Sequence, residues 1–279
     1  MNQVPEKEIE IAELRKLTQV IKDKYDFEFK DYAMSSFKRR IKRILELYKF
    51  KTVDKLVEVL ESTPEFFEEF LSEITVNVTE MFRDPTFWKV LREQIIPNIL
   101  LNHDKISIWH AGCSSGEEVF SMAIMLREME VLDKAKIIAT DIDTAIINKA
   151  KLGTYSLKNM DLNSKNYEKA MGKATLQKYY QESGNEAILD KSLVQNVSYR
   201  RHDLVKGGVF SKFDLVLCRN VMIYFNQSLQ NDVLIKLHES LFKYGYLVIG
   251  SKESLIWCDI SNKFIVVNNE EKIYKKVKD

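Results

Sequence analysis

Apolar residues recur at helical spacing through the first 75 positions of the chain. One stripe of a predicted helix is formed by Phe37, Ile41, Ile44, Leu45 and Tyr48. A second amphipathic helix is indicated by Val53, Leu56, Val57 and Leu60. Residues at these intervals share one face of a helix, so both segments are expected to bury one side against a neighbour.

Another helix is predicted to open at residues 62–65 (STPE), which offer a capping hydroxyl followed by a proline suited to a first turn. Its apolar side would include Phe67 and Leu71. We therefore predict a small all-helical domain over residues 1–75.

Short apolar runs alternate with helical patterns after about residue 105. Strands are predicted at Lys105–Trp109, Lys136–Thr140, Phe213–Cys218 and Tyr246–Gly250. Helices are predicted at Glu117–Met129, Ala145–Lys151 and Leu229–Phe242. This alternation predicts an α/β domain with a doubly wound parallel sheet over residues 105–279, preceded by a linker and first helix over residues 76–104.

Residues 180–202 interrupt this alternation. The segment 181–185 (QESGN) has the composition of a turn between two extended runs. It predicts an inserted antiparallel β-subdomain at about residues 180–202.

Composition narrows the classes of function. The chain has 42 Lys and Arg against 41 Asp and Glu, so its overall charge indicates neither nucleic acid nor a membrane surface as a partner. Cys113, Cys218 and Cys258 are widely spaced and the four histidines are scattered, which predicts neither a disulfide framework nor a metal site. The polar, acidic first ten residues and the lack of a long apolar run predict a cytoplasmic protein that does not insert into the membrane.

The loop after the first predicted strand, residues 111–116 (AGCSSG), consists of small residues and leads directly into a helix. Such a loop lets a ligand approach the backbone, with Gly112 as a point of contact, although many strand-to-helix turns are rich in glycine for steric reasons alone. The helix opens with Glu117 and Glu118, which would repel a phosphate but suit a cation. S-adenosylmethionine carries an ammonium and a sulfonium and no phosphate, so this loop favours it over a dinucleotide as the cofactor.

Two acids follow the second predicted strand. An acid at that place can accept hydrogen bonds from both ribose hydroxyls of a nucleoside. It can also cap the helix that is predicted from Ala145. We assign the ribose to Asp141 and the cap to Asp143.

Two further polar segments lie at the ends of predicted elements. Arg219 and Asn220 follow an apolar strand, at the edge where open α/β sheets bind ligands, although a strand-terminating turn followed by core aromatics would give the same pattern. Residues 75–84, from their composition alone, would be a linker between domains.

Four segments together resemble the chemotaxis receptor protein-glutamate methyltransferases. They are NVTEMFRD (77–84), AGCSSGEE (111–118), ATDID (139–143) and FDLVLCRNVMIYF (213–225). Their order and spacing match the family from about residue 10 to residue 275. The resemblance implies a class I methyltransferase fold behind a helical N-terminal domain, and the transfer of methyl groups from S-adenosylmethionine to glutamate carboxylates of a chemoreceptor-like protein with Glu-rich helices, with S-adenosylhomocysteine as product.

The resemblance also implies roles for single residues. The family's cofactor-site residues correspond here to Asn77, Thr79, Arg83, Glu118, Asp141, Asp203, Leu204, Arg219 and Asn220. Among them, Glu118 corresponds to the ligand of the methionine ammonium and Asp141 to the ribose acid. The pair that is proposed to orient the substrate carboxylate corresponds to Arg83 and Tyr224.

Other family features concern substrate docking. The region around residues 180–200 resembles the family's inserted β-subdomain, which can bind a receptor tether. The polar side of the predicted helix 37–48 is basic and carries Lys38, Arg39, Lys42 and Arg43. This side is either a solvated surface or a docking face for acidic substrate helices, which complementary charge would attract. The chain is expected to act as a monomer without nucleic acid.

Other readings of the same residues remain open at this point. A methyltransferase of this fold could act on another acidic protein or on a small molecule. A non-catalytic regulator that binds the cofactor would keep the cofactor residues, but Arg83 and Tyr224 argue against it. No Asn-Pro-Pro-Tyr motif is present, which argues against amide or base N-methylation.

Overall fold

The structure is a computed structural model that describes residues 8–75, 79–171 and 175–279. Its contacts divide the chain into two units. The helical unit comprises residues 1–76 and 224–229, and the sheet unit comprises residues 77–223 and 230–279.

Amphipathic helices build the helical unit. They are α1 (Ile11–Tyr25), α2 (Met34–Leu47), α3 (Val53–Ser62) and α4 (Phe66–Ile74). Phe37, Ile41 and Ile44 of α2 are buried, as their spacing predicts, while Arg39 and Arg43 are exposed. The predicted helices are therefore confirmed, and their apolar stripes form the core of this unit.

The predicted cap at residues 62–65 is wrong in detail. Ser62 still belongs to α3, and its hydroxyl donates to the carbonyl of Glu58 one turn back at 2.8 Å. Thr63 ends α3 and α4 begins only at Phe66, so Pro64 lies in the turn between the helices and not in the first turn of α4. A serine can satisfy a preceding carbonyl as readily as it can cap a following helix.

Residues 224–229 pack onto the helical unit although they are far from it in sequence. The amide of Ala33 donates to the carbonyl of Tyr224 at 2.8 Å. The rings of Tyr32 and Phe225 meet edge to face with centroids 5.2 Å apart. The amide of Asn226 donates to the carbonyl of Asp31 at 2.8 Å. Tyr224 and the residues after it are thus held by the segment that joins α1 to α2.

A seven-stranded sheet forms the centre of the other unit, in the order β6-β2-β1-β7-β8-β10-β9. Its strands are β1 (Ile106–Ala111), β2 (Ala135–Asp141), β6 (Val197–Arg201), β7 (Phe213–Cys218), β8 (Leu241–Ile249), β9 (Phe264–Asn268) and β10 (Ile273–Lys276). The first five strands in this order are parallel, and β10 runs antiparallel to both of its neighbours. The predicted α/β class is confirmed, with a mixed sheet in place of an entirely parallel one.

Helices connect these strands. They are Pro85–Val90 (α5), Ile96–Leu100 (α6), Glu117–Glu128 (α7), Thr144–Leu152 (α8), Leu157–Met171 (α9) and Gln227–Glu239 (α10), and a π-helical turn at Leu91–Ile95 joins α5 to α6. The helix predicted at Leu229–Phe242 ends earlier, because Leu241 and Phe242 already belong to β8. An apolar run fits a buried helix end and a buried strand equally well.

A separate antiparallel sheet contains β3 (Thr154–Ser156), β4 (Tyr180–Ser183) and β5 (Glu186–Leu189), in the order β3-β5-β4. The predicted turn around Gly184 joins β4 to β5, so the inserted β-subdomain is confirmed. Its predicted range of about 180–202 differs from the structure at both ends, because β3 belongs to this sheet while β6 pairs with β2 in the main sheet. None of the described helices is long and apolar enough to cross a membrane.

Candidate active site

The loop after β1 adopts backbone conformations that favour glycine. Gly112 has φ +85° and Gly116 has φ +93°, values that side chains with a Cβ rarely adopt. The amide of Gly112 donates to the carbonyl of Thr140 at the end of β2. A Cβ at Gly112 would lie 2.5 Å from Cγ2 of Val221, so the loop packs tightly against the turn after β7. The carboxyl ends of three parallel strands therefore meet here.

Glu118, in the first turn of α7, is held on both carboxylate oxygens. Nδ1 of His110 lies 2.8 Å from Oε1, and Arg219 donates to Oε2 at 3.0 Å. Burial alone would raise the pKa of Glu118, but the hydrogen bond from His110 and the charge of Arg219 outweigh it and lower the pKa. Because an ionised carboxylate only accepts hydrogen bonds, Nδ1 of His110 carries the hydrogen.

Arg219 joins this carboxylate to the segment that precedes α5. Its second terminal nitrogen donates to Asp84, and its guanidinium lies 4.2 Å from the centre of the Phe87 ring. The side chain of Arg219 is almost fully buried. A buried arginine with two carboxylates and an aromatic face has one well-defined position.

Glu117, next to Glu118, is in a different environment. It is buried, and its Oε2 accepts a hydrogen bond from the Ser115 hydroxyl at 2.7 Å. Burial raises the pKa of Glu117 to about 7. The two adjacent glutamates therefore differ in their degree of ionisation near neutral pH, and Glu118 is the more fully ionised of the pair.

Asp141 connects the ends of β1 and β2. Its Oδ2 accepts the amide of Ser114 at 2.8 Å, and its Oδ1 accepts the amides of Ile142 and Asp143. Burial raises the pKa of Asp141, and these backbone donors oppose the rise. Asp143 accepts the amides of Ala145 and Ile146, which confirms it as the cap of α8.

Asp203 and Leu204 follow β6 on the same edge of the sheet as Asp141. The link is a hydrogen bond from the amide of His202 to the carbonyl of Asp141 at 2.9 Å. Asp203 also accepts the amide of Val205 at 2.7 Å and thereby shapes its own turn.

The segment before α5 is anchored to the sheet unit by its backbone. The amide of Met81 donates to Asn163, and the amide of Phe82 donates to the Ser121 hydroxyl. Nε1 of Trp88 donates to the carbonyl of Arg83 at 3.0 Å. Thr79 is half-buried in this segment. Asn77 lies outside the described residues.

Tyr224 belongs to the helical unit, where its ring lies beside Arg40 of α2. The guanidinium carbon of Arg40 is 5.7 Å from the ring centre. Burial lowers the pKa of Arg40, although arginine remains protonated at neutral pH. On the same helix Lys38 pairs with Glu8 at 2.7 Å, and Arg39, Lys42 and Arg43 are exposed.

Two buried residues at this site have no counterpart in the sequence-based prediction. His110 lies one residue before the end of β1 and orients Glu118. Glu253 accepts backbone hydrogen bonds from the turn that follows β7. An acid shortly after an apolar strand is the one signal that points to Glu253, and nothing in the spacing points to His110.

The donor set suits S-adenosylmethionine. The ionised carboxylate of Glu118 lies in the first turn of α7, a place that would otherwise favour a phosphate. A second carboxylate, that of Asp141, lies at the end of the neighbouring strand β2. Within the described ranges, no group of three or more His, Cys, Asp and Glu side chains could hold a metal ion.

Comparison with known proteins agrees with this geometry. The family described as CheR methyltransferase, SAM binding domain, matches residues 77–273, and the CheR methyltransferase all-alpha domain matches residues 12–75. The chain is 41% identical to the putative methyltransferase Cher3 of Pseudomonas putida, over 95% of this chain and 96% of that protein. It is 32% identical to a chemotaxis protein methyltransferase of Listeria innocua, over 86% of this chain and 88% of that protein.

These matches cover the helical domain and the cofactor-binding domain in one continuous order, as the sequence motifs predict. The prediction of an S-adenosylmethionine-dependent chemotaxis methyltransferase is therefore confirmed. The chain belongs to the CheR chemotaxis protein methyltransferase family.

Proposed function

We propose that this methyltransferase moves the methyl group of S-adenosylmethionine to glutamate side chains of a chemoreceptor-like protein in the cytoplasm, acting as a monomer and leaving glutamate methyl esters. The observation that carries the proposal is the ionised, largely buried Glu118, held by His110 and Arg219 at the carboxyl edge of the sheet. A fixed anion at this place selects a cationic cofactor over a nucleotide phosphate.

Cofactor binding is proposed to use residues from five segments. Glu118 binds the methionine ammonium, and Asp141 binds the ribose, since its Oδ2 can accept a hydroxyl in addition to the amide of Ser114. The remaining contacts are assigned to Asn77, Thr79, Arg83, Gly112, Asp203, Leu204, Arg219 and Asn220. S-adenosylmethionine, when bound, supplies an electrophilic methyl group.

The acceptor needs no activation by a base. A glutamate carboxylate has a pKa of about 4.3 in solution, so it is already a nucleophile at neutral pH. The task of the protein is then to align the carboxylate and exclude water. We assign the alignment to Arg83 and Tyr224, with Arg83 orienting one oxygen and Tyr224 donating to the other. Arg83 would not accelerate transfer if it bound the acceptor carboxylate equally strongly in the ground state and in the transition state. We therefore assign Arg83 the role of orienting the carboxylate.

Substrate docking is assigned to the basic face of α2. Arg39, Lys42 and Arg43 are exposed there, and Lys38 lies beside them. Acidic helices of an acceptor protein would be attracted to this face, which would speed encounter at low ionic strength.

Incubation with methyl-labelled S-adenosylmethionine and cytoplasmic fragments of chemoreceptors tests the proposal. We expect label on the receptor that mild base releases, because carboxyl methyl esters hydrolyse readily while methylated amines do not. Label that withstands base, or label on the methyltransferase alone, would refute glutamate esterification.

A further inference from the structure

The carboxylate of Glu253 lies inside the sheet unit, four residues after the end of β8. It is 6% exposed. Oε1 accepts the amides of Met222 at 2.8 Å and Ile223 at 3.2 Å. Oε2 accepts the amides of Asn220, at 3.2 Å, and Gly250. One side chain therefore collects four backbone donors, three of them from the turn that follows β7.

That turn carries proposed cofactor-site residues. Arg219 enters it directly after β7 and pairs with Glu118. Asn220 has φ +59°, a left-handed conformation that asparagine adopts more readily than most residues. The carboxylate of Glu253 accepts the amides of this turn and so stabilises its left-handed conformation at Asn220.

Gly250 leaves room for this arrangement. A Cβ at Gly250 would lie 2.8 Å from both the amide nitrogen and Nδ2 of Asn220, and 2.9 Å from Oε2 of Glu253. These distances are shorter than van der Waals contact allows. The end of β8, the turn after β7 and the Glu253 carboxylate therefore form one closely fitted cluster.

We propose that Glu253 is a positioning residue for the cofactor site, which fixes the Arg219–Asn220 turn through backbone hydrogen bonds. The inference rests on the proposed function, because the turn is assigned there to the cofactor. Glu253 touches neither reactant in this account. It acts by setting where the guanidinium of Arg219 and the amide of Asn220 lie.

The turn requires two accepting oxygens from this side chain as well as its shape. Both oxygens must accept, and each accepts two N–H groups. A glutamine has the same shape, but its NH2 group donates, so it would face two N–H groups with a donor. Buried donors that lose their acceptor are costly, and the turn is expected to move to find another partner.

The first test is the dissociation constant of S-adenosylhomocysteine, measured by calorimetry at a temperature where each variant is shown to be folded. Glu253→Gln is expected to raise this constant about tenfold or more. Glu270→Gln, which changes an exposed carboxylate, is the matched control and should leave it unchanged. Gly250→Ala should weaken binding with the carboxylate intact, whereas Gly208→Ala, where a Cβ meets nothing within 4 Å, should not.

A double-mutant cycle separates positioning from general loss of stability. Asn220→Gly removes the side chain and keeps the left-handed backbone accessible. If Glu253 acts through this turn, Glu253→Gln should weaken binding much less in the Asn220→Gly background than in the parent. Independent, multiplicative effects would refute positioning through Asn220.

The failure of this inference is distinguishable from failure of the proposed function. Wild-type protein that binds S-adenosylhomocysteine no more tightly than folded Glu253→Gln overturns the positioning role and leaves the methyl transfer intact. Wild-type protein that does not bind S-adenosylhomocysteine overturns both.

Discussion

Arg219 donates a hydrogen bond of 3.0 Å to Glu118, joining the end of β7 to the start of α7. The two residues are 101 positions apart in the chain. They meet because β1 and β7 are adjacent and parallel, so that the segments leaving both strands lie at one edge. Burial alone would raise the pKa of Glu118, but the hydrogen bond from His110 and the charge of Arg219 together lower it.

The charge of Glu118 is predicted to determine cofactor affinity. Glu118→Gln keeps the shape but removes the anion that would bind the methionine ammonium. We expect the dissociation constant of S-adenosylhomocysteine to rise roughly tenfold to a hundredfold, as for a lost charge-assisted hydrogen bond. Calorimetric titration measures it, with Glu130→Gln beyond the far end of α7 as control. Equal affinity of the parent and Glu118→Gln for S-adenosylhomocysteine would refute the assignment of the methionine ammonium to this carboxylate.

The raised pKa of Glu117 predicts a pH-dependent stability. Burial of the side chain raises its pKa from the ordinary value of 4.5 to about 7 in the folded chain. The folded state therefore binds this proton more tightly than the unfolded state does. The contribution of Glu117 to stability consequently falls as pH rises from about 4.5 to above 7.

Glu117→Gln should remove that loss. We expect the variant to gain up to about 3 kcal/mol over the parent in the free energy of unfolding at pH 8.5, and much less at pH 5. Urea denaturation at both pH values measures the difference, and Glu130→Gln is again the control. A gain of the same size at both pH values would contradict a raised pKa of Glu117 in the folded chain.

Arg83 and Tyr224 are predicted to contribute unequally to turnover. Arg83→Ala should lower kcat about a hundredfold, because the acceptor carboxylate loses its orienting cation. Tyr224→Phe removes one hydrogen bond and should lower kcat less than about tenfold. Initial rates of methyl transfer at saturating cofactor give both values. Small and equal losses would show that neither residue orients the acceptor.

The basic face of α2 is predicted to act through long-range attraction. Reversing charge at Arg39 and Arg43 should raise the KM for a chemoreceptor fragment about tenfold at low salt, with kcat little changed. The difference should shrink at high salt because ions screen exposed charges. Lys136→Glu, on β2, serves as control. An unchanged KM at low salt would show that this basic face is a solvated surface and not a docking face for the substrate.

Local patterns were sufficient to predict much of the fold. The mostly apolar run Phe213–Cys218, which polar residues follow, predicts a strand with the bounds of β7. The range predicted for the insert includes β6, because the sequence of Val197–Arg201 is largely polar and lacks the continuous apolar run of a buried strand. Its parallel pairing with β2 is a long-range choice that the local sequence does not express.

In the site, too, the local sequence predicts some features, while contacts between distant parts of the chain determine others. The sequence predicts that Glu118, Asp141 and Arg219 lie at one edge of the sheet, because each lies at or after the carboxyl end of a strand. Glu253 could not be predicted, because it acts on backbone amides about thirty positions away. The position of Tyr224 in the helical unit could not be predicted from the local sequence either. Its carbonyl accepts the amide of Ala33, which lies nearly two hundred residues earlier in the chain.

The most direct test of the central claim is to locate the transferred methyl group. A chemoreceptor cytoplasmic fragment would be incubated with S-adenosylmethionine and either the parent protein or Glu118→Gln, and its peptides mapped by mass spectrometry. The account predicts methyl esters on glutamate side chains of the receptor helices with the parent, and strongly reduced esters with the variant at limiting cofactor. Methyl groups on lysine side chains or on the terminal amine of the receptor fragment would contradict it. So would the lack of any methyl group on an intact receptor fragment when the parent protein binds S-adenosylhomocysteine.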